Sequence, residues 1–381
     1  MNRIILIGNG FDLAHGLKTS YHDFIDWIVE SKFEIFKNNK GVLNDEDLEI
    51  IYRDFWTYSD IEKFRNLLCN INSTDVKLGE AFDGESKEYE GFKNNFLEKL
   101  IINKYVNNWC DIETIFYDEL NDLVDTKVVS DNDIEKFNLE FQRIINLLEE
   151  YLLIVIKNKN DTETHIEKRI ADLLESNIKE IHLSIDFKND LSYKYTEEGQ
   201  EIYASGEVKV DKCLILDFNY TETILPYILE RIPRKLKDNF EYINIHGALN
   251  DVDNPIIFGF GDELDENYSK IEKSRLKGAL EYIKSINYLK TSNYRKFLEF
   301  LEIDDYQVFI WGHSCGVTDR TLLNHIFEHD HCAGIKPFYR KRENQSNNYI
   351  EIVSSIARNF TDKNKLRDRV VNFQFCEPLL F

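Results

Sequence analysis

Paired cysteines are the first thing this sequence lacks. Its six cysteines stand at 69, 110, 213, 315, 332 and 376, with no Cys-x-x-Cys among them. That spacing excludes a zinc ribbon and a thioredoxin-type redox motif, and unpaired thiols suit a reducing compartment. Proline is scarce, with five in 381 residues, and no stretch is rich enough in Pro, Gly or Ser to serve as a linker. Positive charge is short as well: 47 basic against 69 acidic residues leave a net charge of −22. A field of that sign repels nucleic-acid backbones, so nucleic acid is not an expected partner. An anionic ligand would need local help from backbone N–H groups. Long apolar runs are also missing. The longest, Tyr151–Ile156, lies between Glu150 and Lys157, far below the about 18 residues of a membrane span. Ile4–Ile7 is too short for a signal-peptide core and runs directly into Gly8. The expectation is a cytoplasmic protein with no membrane partner.

What is present is a globular composition, 43% hydrophobic and 13% aromatic. The length suggests roughly two domains. Ile4–Ile7 is a continuous apolar run that ends in glycines, the pattern of a strand buried on both faces of a parallel sheet. Cys213–Phe218, Tyr242–Ile245 and Val308–Trp311 repeat it, and Val370–Phe375 is read as a last strand. Between about Tyr21 and Ile181 the periodicity is helical. Tyr21, Phe24, Ile25 and Ile28 share a face behind a Ser20/Asp23 capping box, and Phe141, Ile144, Ile145, Leu148, Tyr151, Leu152 and Val155 form a second stripe. Asn70–Tyr89 is polar and reads as a loop, and Ile202–Val210 as a small hairpin. The predicted fold class is α/β: a Rossmann-like parallel sheet from residues 1–20 and 206–381, with a mainly helical insertion over 21–205 after the first strand.

Four turns close the apolar runs. Gly8-Asn9-Gly10-Phe11-Asp12 follows the first. Its two glycines permit a tight turn and close approach of a phosphate. The full dinucleotide fingerprint is absent, because Leu13 stands where the third glycine would, so an ordinary dehydrogenase is not expected. Phe218-Asn219-Tyr220-Thr221 offers an amide that can orient a water. Ile245-His246-Gly247 offers a base suited to neutral pH. Gly312-His313-Ser314-Cys315-Gly316 adds a second glycine turn, followed by Asp319. Each of these residues also has an ordinary structural reading. Their convergence on one sheet edge is the informative feature. The group His325, His329, His331 and Cys332 fits no zinc pattern and reads as a solvated helix end, so no metal is expected. Lys336, Arg340, Lys341 and Arg342 read as a solvated basic face.

The opening Ile7–Tyr21 resembles that of the AbiH family of bacterial phage abortive-infection proteins. Further blocks resemble it in order: Trp109-x-Asp111-x-Glu113, Phe218–Thr221, Ile245–Gly247, Phe258-Gly259-x-Gly261-Asp262-Glu263, and Gly312-His313-Ser314-x-Gly316-x-x-Asp319. The block order is also similar, more distantly, to SIR2-type proteins, which bind NAD and cleave its nicotinamide–ribose bond. That resemblance implies a SIR2-like fold. It also implies ligand-holding roles for Gly8, Asn9, Gly10, Phe11 and Asp12, and for Gly312, Ser314 and Asp319. Asn219 would position the attacking water and His246 would be the base. Thr221 stands where those proteins carry an Asp that grips the nicotinamide amide, and their four-cysteine zinc module has no counterpart. Lysine deacetylation is therefore disfavoured relative to hydrolysis.

The expectation is a phage-defence effector that hydrolyses NAD, as substrate, or a related nucleotide without a metal. Its expected partners are a nucleotide, a phage-derived trigger and further copies of itself. The alternative is a nucleotide-binding sensor without turnover. Trp109, Asp111 and Glu113 in the insertion are further candidates for the site, against a packed Trp and two solvated acids.

Overall fold

The computed structural model describes the chain except for residues 52–59, 72–88, 108–110, 127, 159–167, 186, 189–205, 343 and 380–381. The loop expected over Asn70–Tyr89 and the residue Trp109 fall largely or wholly outside the described part. The chain divides into two compact units. One comprises Met1–Leu17, Ile156–Ser269 and Glu281–Phe381, and the other Lys18–Val155 and Lys270–Leu280.

The first unit is built on five parallel strands: β1 (Asn2–Ile7), β2 (Cys213–Asp217), β3 (Phe240–Asn244), β4 (Tyr306–Trp311) and β5 (Cys332–Phe338). Their spatial order is 3-2-1-4-5. Doubly wound nucleotide-binding sheets share this order, so a Rossmann-like layout is compatible with it. The apolar runs are continuous because both faces are covered. Ile4, Leu6, Leu214, Leu216, Ile243, Val308 and Ile310 pack on one side. Ile5, Ile7, Cys213, Ile215, Phe309 and Trp311 pack on the other. A parallel sheet places all strand carboxyl ends at one edge, and the four turns singled out above therefore leave from that edge.

One strand reading is corrected. Val370–Phe375 is not a strand: Val370 makes one isolated bridge to Ile335, and Phe373–Phe375 is a 3-10 turn. The fifth strand is β5, whose apolar run is interrupted by Lys336 and Pro337. Lys336 is buried, not solvated, because its ammonium pairs with Glu377 at 2.7 Å. Proline is tolerated there because β5 lies at the sheet edge. Arg340, Lys341 and Arg342 are exposed as expected. The hairpin expected over Ile202–Val210 lies partly outside the described residues, which leave out 202–205. Glu207–Val208 pairs antiparallel with the distant Ile178–Lys179. His331 pairs with Asp305 at 2.7 Å, while Cys332 is buried in β5.

The second unit holds helices Tyr21–Asn38, Ile61–Asn70, Asn95–Tyr105, Ile112–Val124 and most of Asp131–Lys157. The capping box forms at its start: Ser20 Oγ accepts the Asp23 N–H at 3.1 Å and donates to the Asp23 carboxylate. The stripe read on the long helix is buried except for the half-buried Val155, and the Phe116 and Phe141 rings stack at 4.0 Å. A three-stranded antiparallel sheet, Val42–Asn44, Leu48–Ile51 and Tyr89–Phe92, is an element the helical reading missed. Its strands are too short for periodicity to reveal. Asp111 caps the helix Ile112–Val124 by accepting the Thr114 N–H at 3.2 Å, and Glu113 is buried in this unit.

Candidate functional site

The four turns are linked by contacts within the first unit. The turn after β1 leads into α1 (Asn9–Ala14), and it lies against the turn after β4. A Cβ on Gly8 would stand 2.4 Å from His313 Cα, and one on Gly10 would stand 2.7 Å from Gly312 O. Gly312 has φ +72°, and a Cβ there would stand 2.2 Å from the Phe11 nitrogen. These glycines are thus required by backbone packing of loop on loop. Three N–H groups of the first turn are already bonded: Gly8 donates to Trp311 O at 3.1 Å and Gly10 to Gly312 O at 2.9 Å across the loops, and Phe11 to Gly8 O at 2.8 Å within the turn. A phosphate held here would draw on other donors. Asn9 and Ser314 stand exposed beside the pair of loops, whereas Phe11 and Asp12 are buried.

The turn after β2 joins the first through two side chains. Asn219 Nδ2 donates to Gly8 O at 3.1 Å, and Thr221 Oγ1 donates to Asp12. Asp217 anchors the turn by accepting the Asn219 N–H at 2.9 Å. The Tyr242 hydroxyl donates to its other oxygen at 3.0 Å. Burial pushes the Asp217 carboxyl up to about 8, against the opposing hydrogen bond from Asn219 and with Asp12 adding to the rise.

The turn after β3 meets the end of the turn after β4. His246 Nε2 lies 3.2 Å from Asp319 Oδ1 and 3.2 Å from the Tyr288 hydroxyl. Lys284 Nζ lies 2.8 Å from the same Asp319 oxygen, and His313 Nε2 lies 3.6 Å from the other. Phe218 packs edge-on against both imidazoles, with centroids 5.0 Å from His246 and 4.1 Å from His313. His246, His313, Lys284 and Asp319 are all buried. Asn219 and His246 stand on neighbouring turns and do not hydrogen-bond each other; each is held by its own partners.

A family model described as Bacteriophage abortive infection AbiH matches residues 4–340. The chain belongs to the AbiH family. It thereby joins a family of bacteriophage abortive infection. No curated protein matches the chain. Among its described residues no helix is long and apolar enough to cross a membrane.

In this AbiH chain the electrostatics assign the protons. Burial opposes ionisation of Asp319, but Lys284, then His246 and His313, hold its carboxyl well below the usual range. An ionised carboxylate only accepts, so the facing His246 Nε2 carries a proton. Burial first, and Lys284 second, push His246 down to about 4, so the ring is neutral near pH 7. The lone pair of that neutral tautomer sits on Nδ1, which takes no hydrogen bond from a described residue. In the neighbouring turn, His313 Nδ1 accepts the Cys315 N–H at 3.0 Å, and Asn359 Nδ2 donates to Cys315 O at 2.8 Å. These two bonds hold Cys315 at φ +52°, an unfavourable conformation for a side chain with a Cβ.

Lys284, Tyr288 and the part played by His313 escaped sequence reasoning. The signal that leads to Lys284 is the block Phe258–Glu263. A Cβ on Gly259 would stand 1.9 Å from Tyr282 O, and one on Gly261 would stand 3.1 Å from Lys284 Cβ. Phe260 O accepts the Lys284 N–H at 2.8 Å, and Asp262 pairs with Arg320, next to Asp319, at 3.2 Å. These glycines thus admit the segment that carries the lysine.

The shifts fix a pH dependence of stability. His246 and His182 fall from 6.5 to about 4 on folding, chiefly by burial. The unfolded chain binds more protons at these two sites, so their contribution is lost as pH falls from 6.5 toward 4. Asp217 rises from 3.8 to about 8, so the folded chain holds the extra proton and stability falls as pH rises toward 8. Between pH 6.5 and 8 the Asp217 contribution changes most of the three, because the histidines are past the midpoint of their unfolded titration. Asp217→Asn, which mimics the protonated carboxyl, is expected to flatten the decline in melting temperature between those pH values. An unchanged decline would show that Asp217 is ionised in the folded chain.

Proposed function

We propose that this AbiH chain hydrolyses the nicotinamide–ribose bond of NAD or a related nucleotide, on a SIR2-like arrangement of the four turns. The observation that carries the reading is the His246–Asp319 pair at the carboxyl edge, the sheet position where such folds bind ligands. His246 is the general base. Its Nδ1 accepts a proton, directly from the attacking water or by way of a ribose hydroxyl, while Asp319 steadies the ring through Nε2–H. Asn219 spends its amide N–H on Gly8 O and keeps Oδ1 to orient the water. The water oxygen bonds to the ribose C1′. The C1′–N bond breaks, its electron pair neutralises the pyridinium, and nicotinamide leaves. Positive charge builds on the ribose, which the ionised carboxylate nearby favours. Gly8, Asn9, Gly10, Phe11, Asp12, Gly312 and Ser314 line the remaining part of the nucleotide site, with Asn9 and Ser314 as its exposed polar side chains. Asp319 acts on His246 instead of holding the ligand.

A thermal-shift series with NAD, ADP-ribose and ATP tests the ligand class. NAD and ADP-ribose are expected to raise the melting temperature, because they bind the folded chain alone. No shift with any of the three would remove the nucleotide reading. Saturable binding of NAD without products would favour the sensor instead.

A further inference from the structure

We propose that Lys284 is the positioning residue that keeps the pair at the sheet edge in its working protonation state, with Asp319 ionised and His246 neutral. The inference rests on the reading of His246 as the base and deepens it. Lys284 Nζ stands 2.8 Å from Asp319 Oδ1, the same oxygen that His246 Nε2 approaches to 3.2 Å. The lysine is 1% exposed, the histidine 4% and the aspartate 7%, so water does little to screen them from one another.

One buried carboxylate oxygen cannot favour two full cations at once. With the ammonium in place, a second positive charge on the imidazole is repelled at close range. The carboxylate is left to accept a hydrogen bond from the neutral ring. Without the lysine, the same carboxylate would stabilise imidazolium. Nδ1 would then carry a proton at higher pH and lose its lone pair. The other polar groups facing the pair do not replace the lysine. Tyr288 offers a neutral hydroxyl at 3.2 Å from His246 Nε2. His313 uses Nδ1 to accept the Cys315 N–H, so its Nε2–H points toward Asp319 Oδ2 at 3.6 Å as a donor. Backbone packing sets the position of the lysine. Its N–H is held by Phe260 O, and Gly261 leaves room beside its Cβ.

The test reads His246 directly, by nitrogen chemical shifts of ¹⁵N-histidine-labelled protein across a pH series, with turnover of NAD measured in parallel. Wild-type chain is expected to show the Nε2–H tautomer and a midpoint far below 6.5. In Lys284→Gln, which keeps a donor and removes the charge, the His246 midpoint is expected to rise by about one unit or more. The acid limb of the pH–turnover profile should rise with it. Lys284→Arg, which keeps the charge, is expected to restore the low midpoint. A midpoint in Lys284→Gln equal to wild type, or an Arg variant that behaves like Gln, would overturn the proposal. If neither variant melts cooperatively, the wild-type tautomer decides: an Nδ1–H ring would overturn it too. Absence of NAD turnover in wild type, with the titration as expected, would remove the function and leave the electrostatic role of Lys284 in place.

Discussion

Replacing His246 with alanine is expected to lower NAD turnover by about 10²–10⁴, the usual cost of losing a general base. Nucleotide affinity should stay within several-fold, because Nδ1 acts on the proton in flight. The fold should tolerate the change better than loss of a neighbour would. Removing His246 takes away a neutral ring, and the Asp319 carboxylate keeps Lys284 at 2.8 Å. Removing Lys284 instead leaves a buried carboxylate without its cation, which is a costlier change. Asn219→Ala is expected to lower turnover in the same range, and the double variant should be little worse than either single one. Groups that act on one step are not additive. Strict additivity of the two losses would show that Asn219 and His246 serve different steps, and full turnover in His246→Ala would remove the mechanism.

The second large effect is on stability, and it separates two roles of glycine. Gly312 and Gly16 have nearly the same backbone angle, φ +72° and +77°, but different surroundings. An alanine Cβ at Gly16 meets nothing within 4 Å, whereas at Gly312 it stands 2.2 Å from the Phe11 nitrogen. Gly16→Ala should therefore cost only the left-handed conformation, about 1–2 kcal/mol. Gly312→Ala should cost that and a forced separation of two backbone segments, about 2 kcal/mol more. Denaturant unfolding of the two variants measures the difference. Equal losses would mean that the loops after β1 and β4 are not packed as described. A ligand-approach role alone would predict weak binding and an undisturbed fold for Gly312→Ala.

The sheet was legible in the sequence because buried parallel strands are continuous apolar runs. Ile4–Ile7 and Val308–Trp311 fall inside β1 and β4. β5 was not legible. Its Lys336 is buried by pairing with Glu377, forty-one positions on, and no local pattern announces such a partner. Val370–Phe375 failed for the opposite reason: it is largely apolar, yet only its first two residues reach the sheet, Val370 through an isolated bridge to Ile335 and Val371 by donating its N–H to Ile335 O at 2.9 Å. At the edge, the four turns could be found because each follows an apolar run. Their glycines were visible as glycines, but the object each one approaches was not. Gly10 was read as giving a phosphate room to approach, and its packing against Gly312 O, 2.7 Å from where a Cβ would stand, could not be read from the sequence. Asp319 could be named because it belongs to a recognisable block, and its contact with His246 needs tertiary structure. Lys284 carries no local mark of burial, and only the 2.8 Å contact with Asp319 gives it a role.

If the edge cluster breaks the nicotinamide–ribose bond, nicotinamide is released from NAD. Purified wild-type chain and His246→Ala, each shown to melt cooperatively, are incubated with NAD, and free nicotinamide and ADP-ribose are followed over time. Wild type is expected to release the two products in equal amounts, and the variant to release them at a rate lower by about 10²–10⁴. Wild-type chain that binds NAD and releases no nicotinamide, or a variant that releases it at the wild-type rate, would show that His246 is not the base of a glycohydrolase.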